Sequence, residues 1–96
     1  MDVVIDGSRI QVERDFHRML ADRLEFGDSY GYNRAALWDR LSTDVLRPVR
    51  VLWQQSATSR ANLGEDAFLG LVEILDRVVE QDRALGLTER FEYLIE

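Results

Sequence analysis

The chain has 96 residues, one domain's worth of material, with 46% hydrophobic residues, no cysteine and a net charge of −6 from 18 acids and 12 bases. That composition excludes a disordered chain, a disulfide framework and a thiolate metal site. The acidic balance disfavours direct binding to nucleic-acid phosphates and favours cationic partners, and no apolar run approaches the ~18 residues of a membrane span.

Asp2 to Asp6 is a short β-branched run closed by Gly7 and reads as a first strand; Ser8 to Val12 continues extended or turns. The N-terminus has neither a basic stretch nor a long apolar core, so no signal peptide is expected, and the absence of cysteine fits a reducing interior. Phe16, Met19, Leu20 and Leu24 recur at helical spacing, which predicts an amphipathic helix over about Glu13 to Leu24, with Glu13 and Asp15 suiting its dipole. Glu25 to Tyr32 is a loop in which Gly27 and Gly31 are free to take unusual backbone angles. A second helix is expected from about Asn33, a good N-cap, to Thr43, ending before Pro48, with Leu37 and Leu41 one turn apart facing a core.

Val49, Val51 and Trp53 alternate with Arg50, Leu52 and Gln54, which predicts a strand over Val49 to Gln54 with Trp53 in the core. Ser56 to Leu63 reads as a short helix stopped by Gly64. Glu65 to about Arg83 is the longest helix, its buried face marked by Phe68, Leu71, Val72, Leu75, Val78 and Val79; Gly86 punctuates its end. Arg90 to Glu96 alternates and forms a last strand with Phe91, Tyr93 and Ile95 on one face. The order β-α-α-β-α-α-β predicts a small three-stranded parallel sheet packed by about four helices.

Catalytic and cofactor motifs are missing. No phosphate-binding glycine loop, dinucleotide fingerprint, zinc-protease helix or nucleophile elbow occurs, and the scattered aspartates lack the spacing of a calcium loop. His17, the only histidine, reads as structural. No enzyme activity, cofactor, metal or small-molecule substrate is expected. Asp39 is more informative. Its helical neighbours Ala35, Ala36, Ser42 and Thr43 are small and none is basic, so the carboxylate has no partner on its own helix and another molecule can approach it closely. Trp38 stands beside it, close enough to the inner face to pack partly inward, and Tyr30 and Tyr32 precede the helix. Spacing alone leaves open that Asp39 is one solvated acid among many. Asp82, an acid elsewhere in the chain, is the natural reference, its replacement expected to leave binding almost unchanged.

The run Tyr30-Gly31-x-Asn33-x-x-Ala36-Leu37-Trp38-Asp39-x-Leu41 resembles the barstar family of intracellular ribonuclease inhibitors. The likeness extends to Val4-Ile5-x-Gly7, to Asp15 and His17, and to Pro48 and Trp53; it covers the first 55 or so residues well and the remainder in outline. The resemblance implies a barstar-like fold in a single domain over residues 1–96, and a cytoplasmic inhibitor or immunity protein that binds a ribonuclease or toxin nuclease one-to-one, with no direct nucleic-acid or membrane partner. It implies that Asp39 imitates a substrate phosphate, with Tyr30, Gly31, Asn33 and Trp38 in the binding segment. Ser29 stands where the best-known member has a tyrosine covering the enzyme's active site, Ala35 where a second interface aspartate is found, and Asp44 where a tryptophan is found. Those departures point to a different nuclease, and Tyr32, Ala35, Ser42, Thr43 and Asp44 are further candidate contacts. The alternative is an interaction or regulatory module of the same fold whose partner is not a nuclease.

Overall fold

Alternation along three short apolar runs decides the sheet. The computed structural model describes residues 1–96 and places β1 at Asp2–Asp6, β2 at Val49–Gln54 and β3 at Phe91–Ile95. They lie in the order β1-β2-β3, both pairs parallel, with Val3 opposite Val51 and Val51 opposite Tyr93. Val3, Ile5, Val49, Val51, Trp53 and Phe91 turn to one buried face. The opposite face carries charged residues, Asp2, Arg50 and Glu92 in register, beside a row of Val4, Leu52 and Leu94. Parallel sheets usually have both faces covered; here the helical layer supplies one core.

Four helices form that layer: α1 (Glu13–Leu24), α2 (Arg34–Asp39), α3 (Ser56–Leu63) and α4 (Glu65–Ala84). The expected α/β architecture is therefore present, with element ends within a residue or two of those read from the sequence. Two local features were not foreseen. Gly7–Arg9 is a 3₁₀ turn capped by Asp6, whose carboxylate accepts the Ser8 N–H at 3.0 Å. The second helix does not stay α-helical to Thr43; Arg40–Asp44 widens into a π turn. Leu37 and Leu41, either side of that change, are both fully buried, as the one-turn spacing requires.

Two buried polar nodes tie distant segments together. The Trp53 indole N–H donates to Ser59 Oγ at 3.0 Å, and that hydroxyl donates to the Gly7 carbonyl at 2.7 Å. A side chain on Gly7 would collide with the Ser59 hydroxyl and the carbonyls of Gln54 and Gln55, so glycine is what lets α3 sit against the end of β1. The second node corrects the sequence reading of Asp82. It is no surface acid but is 0% exposed. Arg47 donates to both its oxygens, at 2.8 and 3.0 Å, and the Phe91 N–H donates to Oδ2 at 2.7 Å. Burial pushes the carboxyl pKa up, but the Arg47 fork and the Phe91 amide outweigh it and hold it below its ordinary value.

Asp82 joins the segment before β2, the end of α4 and the start of β3. Asp82→Ala leaves the Arg47 guanidinium without its partner, and the expected loss is about 3–5 kcal/mol. Urea unfolding of the variant beside the parent measures it. A loss under about 1 kcal/mol would mean that the node is solvated and of little weight.

Candidate partner-binding surface

Six residues cannot hold an isolated helix in water, so α2 stands on what surrounds it. At its start, Asn33 Oδ1 accepts the Ala36 N–H at 2.8 Å, and Asn33 Nδ2 donates to the Gly31 carbonyl at 3.3 Å. Arg34 donates from Nε and NH2 to Glu13 on α1, at 3.2 and 2.9 Å. The Arg34 guanidinium lies against Gly70 of α4, where a Cβ would displace its flexible end. At the other end Arg40 donates to the Phe26 carbonyl at 2.6 Å and to Ser29 Oγ at 3.0 Å, strapping the preceding loop to the helix. The hydroxyls of Ser42 and Thr43 both donate to the Asp39 carbonyl, at 3.3 and 2.5 Å.

Beneath the loop is a buried aromatic and ionic stack. Tyr30 is only 4% exposed and packs between Phe26 and Tyr32, with ring centroids 4.8 and 5.1 Å away. Its hydroxyl meets His17 Nδ1 at 2.7 Å, and His17 Nε2 meets Glu13 Oε2 at 3.1 Å. A carboxylate can only accept, so Nε2 carries the proton and Nδ1 accepts from the phenol. Burial pushes the Tyr30 hydroxyl well above its ordinary pKa, so it remains a neutral donor. Gly27 takes a positive φ, +79°, as expected of it, and Tyr32 also takes the left-handed backbone, with φ +54°. Such a conformation costs about 1–3 kcal/mol in a non-glycine residue; the Tyr30 contact and Arg14, 4.3 Å from the Tyr32 ring centroid, hold it in place. Gly31 is exposed and has no positive φ; a side chain there would press against Asn33 and Ala36.

The structure therefore sorts the candidate residues. Gly31, Ala35, Asp39, Thr43 and Asp44 are exposed, together with Ser29 and Asp28 of the loop, while Tyr32, Trp38 and Ser42 are half-buried. Tyr30 cannot touch a partner with its ring or its hydroxyl; it supports the surface from below. Asn33 is committed to its cap, and the Ser42 and Thr43 hydroxyls to the turn. Asp44 sits 3.6 Å from Arg40 and accepts a hydrogen bond from Thr43. Asp39 is different. Its carboxylate has no hydrogen-bond or salt-bridge partner in the protein, while the arginines around it are engaged elsewhere: Arg34 with Glu13, Arg40 with the loop, and Arg77 of α4 over the Trp38 ring at 4.5 Å. Sequence reading did not see α4's share. Glu73 and Glu80 lie within one helical turn of Arg77, so all three fall on one side of α4, and Gln81 Nε2 donates to the Ser42 carbonyl at 3.1 Å. No group of three His, Asp or Glu side chains converges as a metal site, and no helix is long and apolar enough to cross a membrane.

A family model described as "Barstar (barnase inhibitor)" matches residues 1–93. A Bacillus subtilis (strain 168) protein named "Putative ribonuclease inhibitor YrdF" is 31% identical over 94 residues, which span 98% of this chain and 97% of that relative.

The His17 network carries a pH signature. Burial lowers the His17 pKa against the opposing pull of Glu13, so the folded protein favours neutral imidazole while the unfolded chain takes up a proton near its ordinary pKa of about 6.5. The stabilisation is complete above that pH and declines as pH falls through about 6.5 towards the lower folded value. Urea unfolding from pH 7.5 to 5 should show stability falling with acidification, and His17→Gln should flatten the slope over this interval. An unchanged slope in the variant would assign the pH dependence to other groups.

Proposed function

This chain belongs to the barstar family, and on that premise we propose that it is a cytoplasmic immunity protein that inhibits a bacterial-type secreted ribonuclease or toxin nuclease by one-to-one binding. Barstar-family inhibitors are not enzymes. What the surface must do is occupy a cationic active site and stay there.

The observation that supports the proposal is Asp39, exposed and without a hydrogen-bond or salt-bridge partner where α2 passes into the π turn, while Arg34, Arg40 and Arg77 contact other groups. The Asp39 carboxylate has no base at helical spacing and no partner elsewhere in the fold, so nothing within the protein neutralises it. A guanidinium pair in a nuclease pocket does so bidentately, in the geometry it offers a phosphate. The loop from Phe26 to Tyr32 and the flat flank at Ala35 then close over the pocket, and RNA is excluded without any bond being made or broken. The exposed acids Asp28 and Asp44, and the net charge of −6, favour a cationic target and fast encounter. Ser29, Ala35 and Asp44 leave this surface without an exposed aromatic anchor. That favours a nuclease unlike the family's usual one, and makes a non-nuclease partner the second reading.

The test uses the nuclease retrieved with this protein as bait from its native cell. Asp39→Ala should weaken inhibition by about 2–5 kcal/mol, a range for buried interfacial charge pairs that complexes of this same family helped establish. Its stability should be unchanged or slightly higher, since the carboxylate has no partner to lose and alanine is the better helix former. Glu92→Gln, on the uncovered face of the sheet, is the reference in place of Asp82. Equal inhibition by parent and Asp39→Ala would end the phosphate-mimic role, and a captured partner without nuclease activity would favour the second reading.

Stopped-flow mixing over a salt series supplies an independent check. The association rate should fall steeply as ionic strength rises, because the two surfaces carry opposite charge. A flat salt dependence would remove electrostatic steering from the mechanism.

A further inference from the structure

Five arginines lie over aromatic rings, and three of them are hydrogen-bonded as well: Arg40 to the Phe26 carbonyl, Arg47 to Asp82 and Arg60 to Glu65. The other two are Arg14 of α1, 4.3 Å from the Tyr32 ring centroid, and Arg77 of α4, 4.5 Å from that of Trp38. Both are exposed, and neither donates to any group of the protein. Both rings belong to the partner-binding segment, Tyr32 just before α2 and Trp38 next to Asp39. Arg77 has acids at helical spacing, Glu73 and Glu80. Glu80 pairs with Arg83 instead, and the Arg77 guanidinium crosses to Trp38. A ring engages only the face of a guanidinium. Its N–H donors lie in the plane, in the fork that matches a carboxylate.

We propose that Arg14 and Arg77 are specificity contacts, each taking a carboxylate of the nuclease, so that the cationic pocket that receives Asp39 is bordered by acids. The inference rests on the inhibitor reading and deepens it by naming a feature the target must carry. The chemistry of such a pocket calls for one acid: a general base stands beside the groups that hold the phosphate, and Asp or Glu serves as one. That base repels Asp39, and Arg77 on the neighbouring Trp38 ring offsets the repulsion. Stacking holds each side chain in place before the partner arrives, which lowers the cost of ordering a long flexible residue. The two guanidiniums also act against wrong targets, since a uniformly cationic face meets like charge at both.

The experiment measures association and dissociation rates of the captured nuclease with the parent, Arg77→Met, Arg14→Met, Arg9→Met and Asp39→Ala, beside an unfolding curve for each. Methionine keeps an unbranched stem against the ring and loses the charge, so the unfolding curves should lie close to the parent's. Arg9 is exposed on the 3₁₀ turn and donates to nothing, so its variant makes the same change of charge away from the segment. The sign of the effect decides. Each arginine substitution takes the net charge one unit below −6, which by itself speeds association with a cationic target. Arg9→Met should therefore bind at least as well as the parent. Arg77→Met and Arg14→Met should bind about tenfold to a hundredfold more weakly, through faster dissociation, because a charge-assisted pair is lost. If Asp39→Ala weakens binding while Arg77→Met and Arg14→Met match or exceed the parent, the target carries no such acids, and the inference falls while the inhibitor reading stands. If none of the three weakens it, both fall. An arginine variant that loses affinity only together with folding stability overturns its contact, because that arginine then serves the fold through its ring.

Discussion

Glu13 is the residue that ties α2 and its preceding loop to α1. One carboxylate accepts from Arg34 of α2 through two nitrogens and from His17 of its own helix, and His17 in turn receives the Tyr30 hydroxyl. The loop and the helix that follow it are thereby referred to a single point on α1. Both Arg34 bonding and the His17 contact hold Glu13 below its ordinary pKa, so the point stays charged at any pH the cell meets. Arg34 spends its charge here, and no arginine stands at helical spacing from Asp39. The ion pair therefore fixes the start of α2 against α1.

An unpaired acid on a short helix is a local conflict, and natural chains confine such conflicts to places where another molecule resolves them. The rest of α2 is arranged to tolerate it. Leu37 and Leu41 bury fully, worth about 1.5–3 kcal/mol each; Asn33 closes the first turn; the Ser42 and Thr43 hydroxyls take up the Asp39 carbonyl where the backbone leaves α-helical geometry. π turns are frequent at functional sites, and here the widening follows directly on Asp39, the carboxylate proposed to bind the partner.

Much of this fold was legible in advance because period and burial agree. The alternation of Val49, Val51 and Trp53 names a strand and its inward face, and the spacing of Phe16, Leu20 and Leu24 names a helix. Asp39 was legible too, since the absence of a base at helical spacing can be read directly. What escaped depends on contacts remote in sequence. Nothing near Asp82 shows that Arg47 folds onto it from 35 residues away. Tyr30 looks like a surface aromatic until Phe26, Tyr32 and His17 close around it. The π turn leaves no local mark, because Arg40 to Asp44 has the composition of an ordinary helix end.

Gly70 has consequences for how such chains diverge. It lies mid-helix, where glycine weakens the backbone, and only the Arg34 guanidinium lying across it accounts for it. Positions 34 and 70 therefore form one unit of drift. A lineage that trades Arg34 for a shorter residue frees position 70 to become alanine and gain helix strength, and an arginine regained later would lay its flexible end elsewhere than across α4. Once that step is taken, the Glu13 carboxylate keeps only His17 as a partner, and the angle at which α2 stands on α1 is free to change. New target preferences in descendants of this chain could begin with that pair, with Asp39 itself untouched.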